Sequence, residues 1–180
     1  MSFHMDEKTF ETLVERFYQP LYRFALALAR DEAQAADLTQ QAFLQWARKG
    51  ETLKDPSKVK TWLFTTLYRE YLGQKRREAR HPTVELEPAS PELPTVDPVA
   101  LARLEAEEVL AALGELDEVF RVPLVLFYLQ ELSYAEIAQL LQVPLGTVMS
   151  RLARGKEKLR MKLAERTSYK KKERGKEGGG

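Results

Sequence analysis

The chain has 180 residues, 44% of them hydrophobic, and its 28 lysines and arginines nearly balance 27 acidic residues, for a net charge of +1. That length holds one large domain or two small ones, and that apolar fraction builds real cores, which excludes a disordered chain. The absence of cysteine excludes disulfide staples, thiolate metal sites and cysteine nucleophiles, and fits a reducing compartment. The opening MSFHMDEKTF lacks the charged-then-apolar pattern of a signal peptide, and no apolar run approaches bilayer-spanning length. A cytoplasmic protein with no membrane insertion is expected.

Phe10, Leu13, Val14, Phe17, Leu21, Phe24 and Leu28 recur at helical spacing and predict a first helix, kinked or broken at Pro20. A second helix is predicted from near Asp31 to Lys49, with Gly50 as its stop and Leu38, Ala42 and Trp46 on its core side. A loop around DPSK leads to a third helix from about Val59 to Arg80. The end of that helix is basic: Arg69, Lys75, Arg76, Arg77 and Arg80 stand against Glu70 and Glu78. The stretch HPTVELEPASPELPTVDP carries five prolines, which block helix and sheet alike, and reads as an extended acidic linker. Two further helices follow, DPVALARLEAEEVLAALGEL and DEVFRVPLVLFYLQEL, the latter despite Pro123.

The run LSYAEIAQLLQVPLGTVMSRLARGKEKLR then predicts a closely coupled helix pair. Ser133 and Glu136 form a capping box, with Leu132 and Ile137 as the hydrophobic staple. Gln142 and Val143 break the run, and Pro144 suits the first turn of the next helix. On that helix Val148, Leu152, Gly155, Leu159 and Leu163 share an inward stripe. Thr147, Ser150, Arg151, Arg154 and Lys158 present hydroxyls and cations on another face. Two helices across a tight turn, the second carrying donors outward, is the helix-turn-helix arrangement that fits a major groove. No strand pattern occurs. The expected fold is all-α, with two small helical domains at 1–81 and 99–166, a flexible linker at 82–98 and a basic disordered tail at 167–180. Any single charge run reads most simply as a solvated face. Basic patches at the ends of two helical units, separated by acid, point instead to two nucleic-acid contacts.

AADLTQQAFLQWARKG, then KTWLFTTLYREYLGQKRR, then the helix-turn-helix run resemble, in that order, an extracytoplasmic-function sigma factor, the two-domain minimal form of bacterial sigma factor. The resemblance runs from about Phe10 to Leu163. It implies a subunit that binds core RNA polymerase and directs promoter-specific initiation. By resemblance the polymerase contact falls on Asp37, Gln40, Gln41, Phe43 and Leu44. The first domain would melt the −10 element, capture a flipped base at the loop Glu51 to Ser57, and hold the strand through Lys58, Lys60, Trp62, Tyr68, Arg69, Lys75, Arg76 and Arg77. Aromatic and cationic side chains are what single-stranded binding needs, although Trp62 reads equally as core beside Leu63 and Leu67. The −35 duplex would be read by Thr147, Ser150, Arg151 and Arg154, with Lys158 and Arg160 on phosphates. An anti-sigma factor is the further partner the family implies, and the linker would let the two domains close on each other or on that partner.

Three positions depart from the family pattern. Met149 stands where lysine is common, Gln142 where the turn glycine is usual, and Glu70 near a common asparagine. Gln142 implies either a turn that avoids positive φ or one that stores strain. His4 and His81 have no carboxylate cluster around them, so no enzyme activity, metal or cofactor is expected. The alternatives to a sigma factor are a stand-alone helix-turn-helix regulator and a decoy that occupies an anti-sigma factor.

Overall fold

A computed structural model describes residues 7–80 and 108–177. The linker, His4 and His81 lie outside them, as do the domain boundaries expected there. The first domain is a three-helix unit of α1 (Glu7–Ala29), α2 (Glu32–Lys49) and α3 (Val59–Arg80). Pro20 sits inside α1, which runs on as one helix, so of the kink or break expected there the break does not occur. A mid-helix proline costs roughly 3 kcal/mol. Just beyond it Leu21, Phe24 and Leu28 are fully buried or nearly so, each worth about 1.5–3 kcal/mol, and their packing outweighs the lost hydrogen bond.

Asp31 caps α2 by accepting the Gln34 N–H at 2.7 Å, and Ala35, Leu38, Ala42 and Trp46 line its buried stripe. Gly50 ends α2 as expected, but with right-handed φ of −60°, so no left-handed backbone explains it. Close approach does: a Cβ at Gly50 would sit 2.7 Å from the Trp46 indole. Alanine normally gains about 1 kcal/mol over glycine in a helical conformation. Here overpacking costs about 1–3 kcal/mol, and Gly50→Ala is expected to lower stability by about 1–2 kcal/mol in denaturant titration. An unchanged or raised midpoint would refute the packing argument.

The second domain comprises α4 (108–114 among the described residues), α5 (Glu118–Leu124), α6 (Tyr134–Leu141) and α7 (Leu145–Glu177). Past Pro123, α5 widens into a π turn over Val125–Leu129. The capping box forms: Ser133 Oγ accepts the Glu136 N–H, and the Glu136 carboxylate accepts the Ser133 N–H at 2.9 Å. Leu132 and Ile137 are both buried beside it. Gln142 takes the left-handed conformation at φ 55°, ψ 45°, so the turn stores strain of about 1–2 kcal/mol instead of avoiding it. Pro144 precedes the helix, and its carbonyl accepts the N–H groups of Thr147 and Val148. Val148, Leu152 and Gly155 face inward as the stripe predicts. A Cβ at Gly155 would press on Leu124 at 3.0 Å, so glycine is what lets α7 approach α5 this closely. The tail expected to be disordered is helical as far as Glu177. Among the described residues no helix is long and apolar enough to cross a membrane.

Candidate nucleic-acid interface

The two domains close on each other across one flank of α3. Lys75 Nζ and the Tyr71 hydroxyl both donate to Glu118 Oε2, at 2.7 and 2.8 Å. Within the first turn of α3, Thr61 donates to Glu136 Oε1 at 2.8 Å. At the far side the Arg30 guanidinium, placed by a left-handed φ of 59°, donates to the carbonyls of Gly114 and Leu116. Arg121, only 4% exposed, donates to the same Leu116 carbonyl from within its own domain at 2.7 Å. The C-terminal end of α4 is therefore held by two arginines, one from each domain. Cations are stabilising at such an end.

The electrostatics of this clasp follow from its geometry. Burial pushes the Glu118 carboxyl up, but hydrogen bonds from Lys75 and Tyr71 outweigh it and leave the group below its ordinary range. The hydrogen bond to Glu118 raises the Lys75 ammonium. A lowered carboxyl contributes stability that is complete above its ordinary value near 4.3 and lost as pH falls through the lowered one. A raised lysine contributes below about 10.4 and loses it as pH rises further. Closure is therefore expected to hold between roughly pH 4 and 10. Small-angle scattering should show the chain expanding below about pH 4, with Glu118→Gln already expanded at neutral pH. Identical acid profiles for the two proteins would refute the assignment to Glu118.

This closure splits the predicted −10 set. Tyr68 and Lys75 line a cleft between the domains together with Glu118, Val119, Val122, Pro123, Leu141 and Arg151. Arg151, predicted as a −35 reader, thus faces the same cleft. Lys58, Trp62, Arg69 and Arg76 recur at spacings of four and seven and share a second, open stripe, with Arg77 also exposed. Trp62 is half-buried with its ring edge-on to Trp46 at 5.0 Å. It is core on one side and open on the other. Lys60 borders a groove of about 610 Å³ between the start of α1 and the Pro56–Lys60 corner. Leu13, Phe17 and Val59 give that groove an apolar floor, and Lys8, Arg16 and Lys60 a cationic rim. Such a groove suits an unstacked base with its phosphate.

On α7, Ser150, Arg154, Lys158 and Arg160 are exposed and Thr147 is half-buried. Lys158 lies over the Phe120 ring at 5.3 Å, and Arg160 pairs with Glu157 at 2.7 Å. Both local contacts are exposed and weak enough to be exchanged for phosphate. On α2, Asp37, Gln40 and Leu44 are exposed and Gln41 half-buried, and Asp37 accepts a hydrogen bond from the Gln74 side chain of α3 at 3.2 Å. Phe43 is 6% exposed and packs against Phe10 and Tyr18, so it supports this face from beneath. Tyr18 stacks between Phe43 and Tyr22 and is itself 37% exposed. This aromatic ladder belongs to the same face and was missed in the sequence, where Tyr18 and Tyr22 look like ordinary positions of an amphipathic helix.

The Sigma-70 region 2 family model matches residues 13–81, and the Sigma-70, region 4 model matches residues 106–159. The chain is 33% identical over 165 residues to the ECF RNA polymerase sigma factor SigE of Mycolicibacterium smegmatis, covering 89% of this chain but only 63% of that protein. It is 32% identical over 157 residues to the ECF RNA polymerase sigma factor SigM of Mycobacterium tuberculosis, covering 86% of this chain and 76% of that one. Its fold is similar to that of the sigma factor RpoE of Bartonella quintana, solved in complex with the anti-sigma factor NepR. That likeness has a TM-score of 0.74 at 25% identity and covers 87% of this chain and 98% of the other.

Proposed function

This chain belongs to the extracytoplasmic-function sigma factors of the sigma-70 family, and from that membership we propose that it binds bacterial core RNA polymerase in the cytoplasm and directs initiation at promoters carrying −10 and −35 elements. The observation that carries the reading is the pairing of two DNA-suited surfaces with a third, uncharged-to-acidic face on α2 that neither of them uses. Asp37, Gln40, Gln41 and Leu44 dock the polymerase. Lys58, Trp62, Arg69, Arg76 and Arg77 track the displaced strand, and the groove beside Lys60 takes an extruded base, at an unstacking cost of a few kcal/mol. Tyr68 and Lys75 join them when the domains part. The N-terminal turns of α7 enter the −35 major groove, where an arginine that pairs bidentately with guanine contributes about 1–3 kcal/mol of discrimination. The protein is a recognition subunit, and the polymerization chemistry belongs to its partner.

An anti-sigma factor is the natural restraint on such a chain, as the RpoE–NepR complex illustrates for that relative. Run-off transcription from a library of upstream sequences, with purified core polymerase, tests the reading. Start sites that depend on this protein and share two spaced elements are the expected result. Neither transcript nor co-elution with core would overturn it in favour of a stand-alone helix-turn-helix regulator.

A further inference from the structure

The first turns of α7 carry an apolar edge alongside their donors. Leu145 is 50% exposed and Met149 is 52% exposed, and their spacing of four stacks them on one side of the helix. Leu141, Val143 and Leu159, close to them in sequence, pack against the core, whereas Leu145 and Met149 are not among the side chains that do. Single exposed apolar residues are ordinary on a protein surface. Two stacked together at the N-terminal turns of a groove-entering helix are placed where base edges are contacted.

The chemistry of that position is narrow. A thioether and an isobutyl group have no donor to offer guanine or adenine. The one feature of a major-groove base edge that rewards apolar contact is the C5-methyl of thymine. Methionine suits the task, being unbranched, polarizable and able to adjust to a methyl presented at different heights. A lysine or arginine at Met149 would instead seek a phosphate or a guanine. Arg154, exposed on the same helix, is left to make polar contacts, while the Ser150 hydroxyl donates to the Thr147 carbonyl at 3.0 Å and keeps its oxygen as an acceptor.

We propose that Met149, supported by Leu145, reads thymine methyl groups in the −35 duplex and is a specificity-determining residue of this chain. The inference rests on the reading that α7 enters the major groove. Its test separates the two. Duplexes are first selected from a random upstream library by the full-length chain bound to core polymerase. Each thymine of the selected −35 element is then replaced by deoxyuridine, which removes the methyl and leaves the pairing edge intact. At one or two positions the wild-type chain should lose about fourfold in affinity, the worth of one buried carbon of that size. Met149→Ala should lose that sensitivity while still preferring the remaining bases, and Met149→Lys should shift selection at that position from thymine to guanine. A selected element without thymine there, or equal deoxyuridine sensitivity in wild type and Met149→Ala, would overturn the inference while leaving promoter reading intact. No selection of any −35 sequence would overturn both.

Discussion

Phe64→Ala is expected to lower the stability of the first domain by about 3–5 kcal/mol, the usual range for truncating a buried aromatic ring. Phe64 is fully buried, and its ring lies tilted on that of Phe24 at 5.3 Å, deep among Leu21, Leu38, Leu63 and Leu67. Three helices meet there, so no single one can relax to refill the space. Domains of this size are stable by only about 5–15 kcal/mol in total, so the variant should be partly unfolded at physiological temperature. Both tryptophans of the chain, Trp46 and Trp62, lie in this domain, and their fluorescence reports its unfolding separately from that of the second. Phe64→Leu, which keeps most of the volume, should cost less than about 1.5 kcal/mol. A loss below 1 kcal/mol for alanine would mean that the core is looser than the packing implies.

How much of this was legible beforehand depends on the range of the interaction that fixes each feature. Helix boundaries and the capping box rest on neighbours three or four residues apart, and the pattern Ser133 to Glu136 or Leu38, Ala42, Trp46 displays them directly. At Pro20 the sequence leaves kink and break both open, because the local cost is visible in sequence while the compensating burial of Leu21, Phe24 and Leu28, which keeps α1 continuous, is tertiary. Gln142 left two conformations open, since only the path of the chain from α6 into α7 decides which is used. Gly50 is legible as a helix stop, though the reason for glycine there is hidden in the sequence: the indole of Trp46 stands over it. The clasp was not legible at all. Glu118 reads locally as an ordinary acid at a helix start, and its partners Tyr71 and Lys75 lie 47 and 43 residues away. That the domains close was anticipated from the linker; which faces meet was not.

That clasp gives the second large effect. Glu118→Lys is expected to part the two domains, because it replaces the shared acceptor of Lys75 and Tyr71 with a cation facing Lys75 and near Arg121. An exposed ion pair is worth at most about 1 kcal/mol, and a fully buried one costs about 3–5 to break. Lys75 is 51% exposed and Glu118 30%, so a value between these limits, about 2–3 kcal/mol, is appropriate after allowing for solvent screening. The closed population should fall about 30- to 150-fold relative to the open one, at 1.4 kcal/mol per decade. The chain has no native cysteine, so Glu15→Cys and Lys156→Cys, both at exposed positions, supply dye sites for energy transfer between the domains. Low transfer in Glu118→Lys, restored in the swapped pair Lys75→Glu with Glu118→Lys, is the expected pattern; an unchanged distance in the single variant would refute the clasp. The closed chain keeps Tyr68, Lys75 and Arg151 in one cleft while Asp37, Gln40 and Leu44 stay exposed. Closure therefore gathers only Tyr68, Lys75 and Arg151 of the cationic and aromatic positions into the cleft, and it leaves Lys58, Arg69, Arg76 and Arg77 on α3's flank and Arg154 and Lys158 on α7 open to solvent.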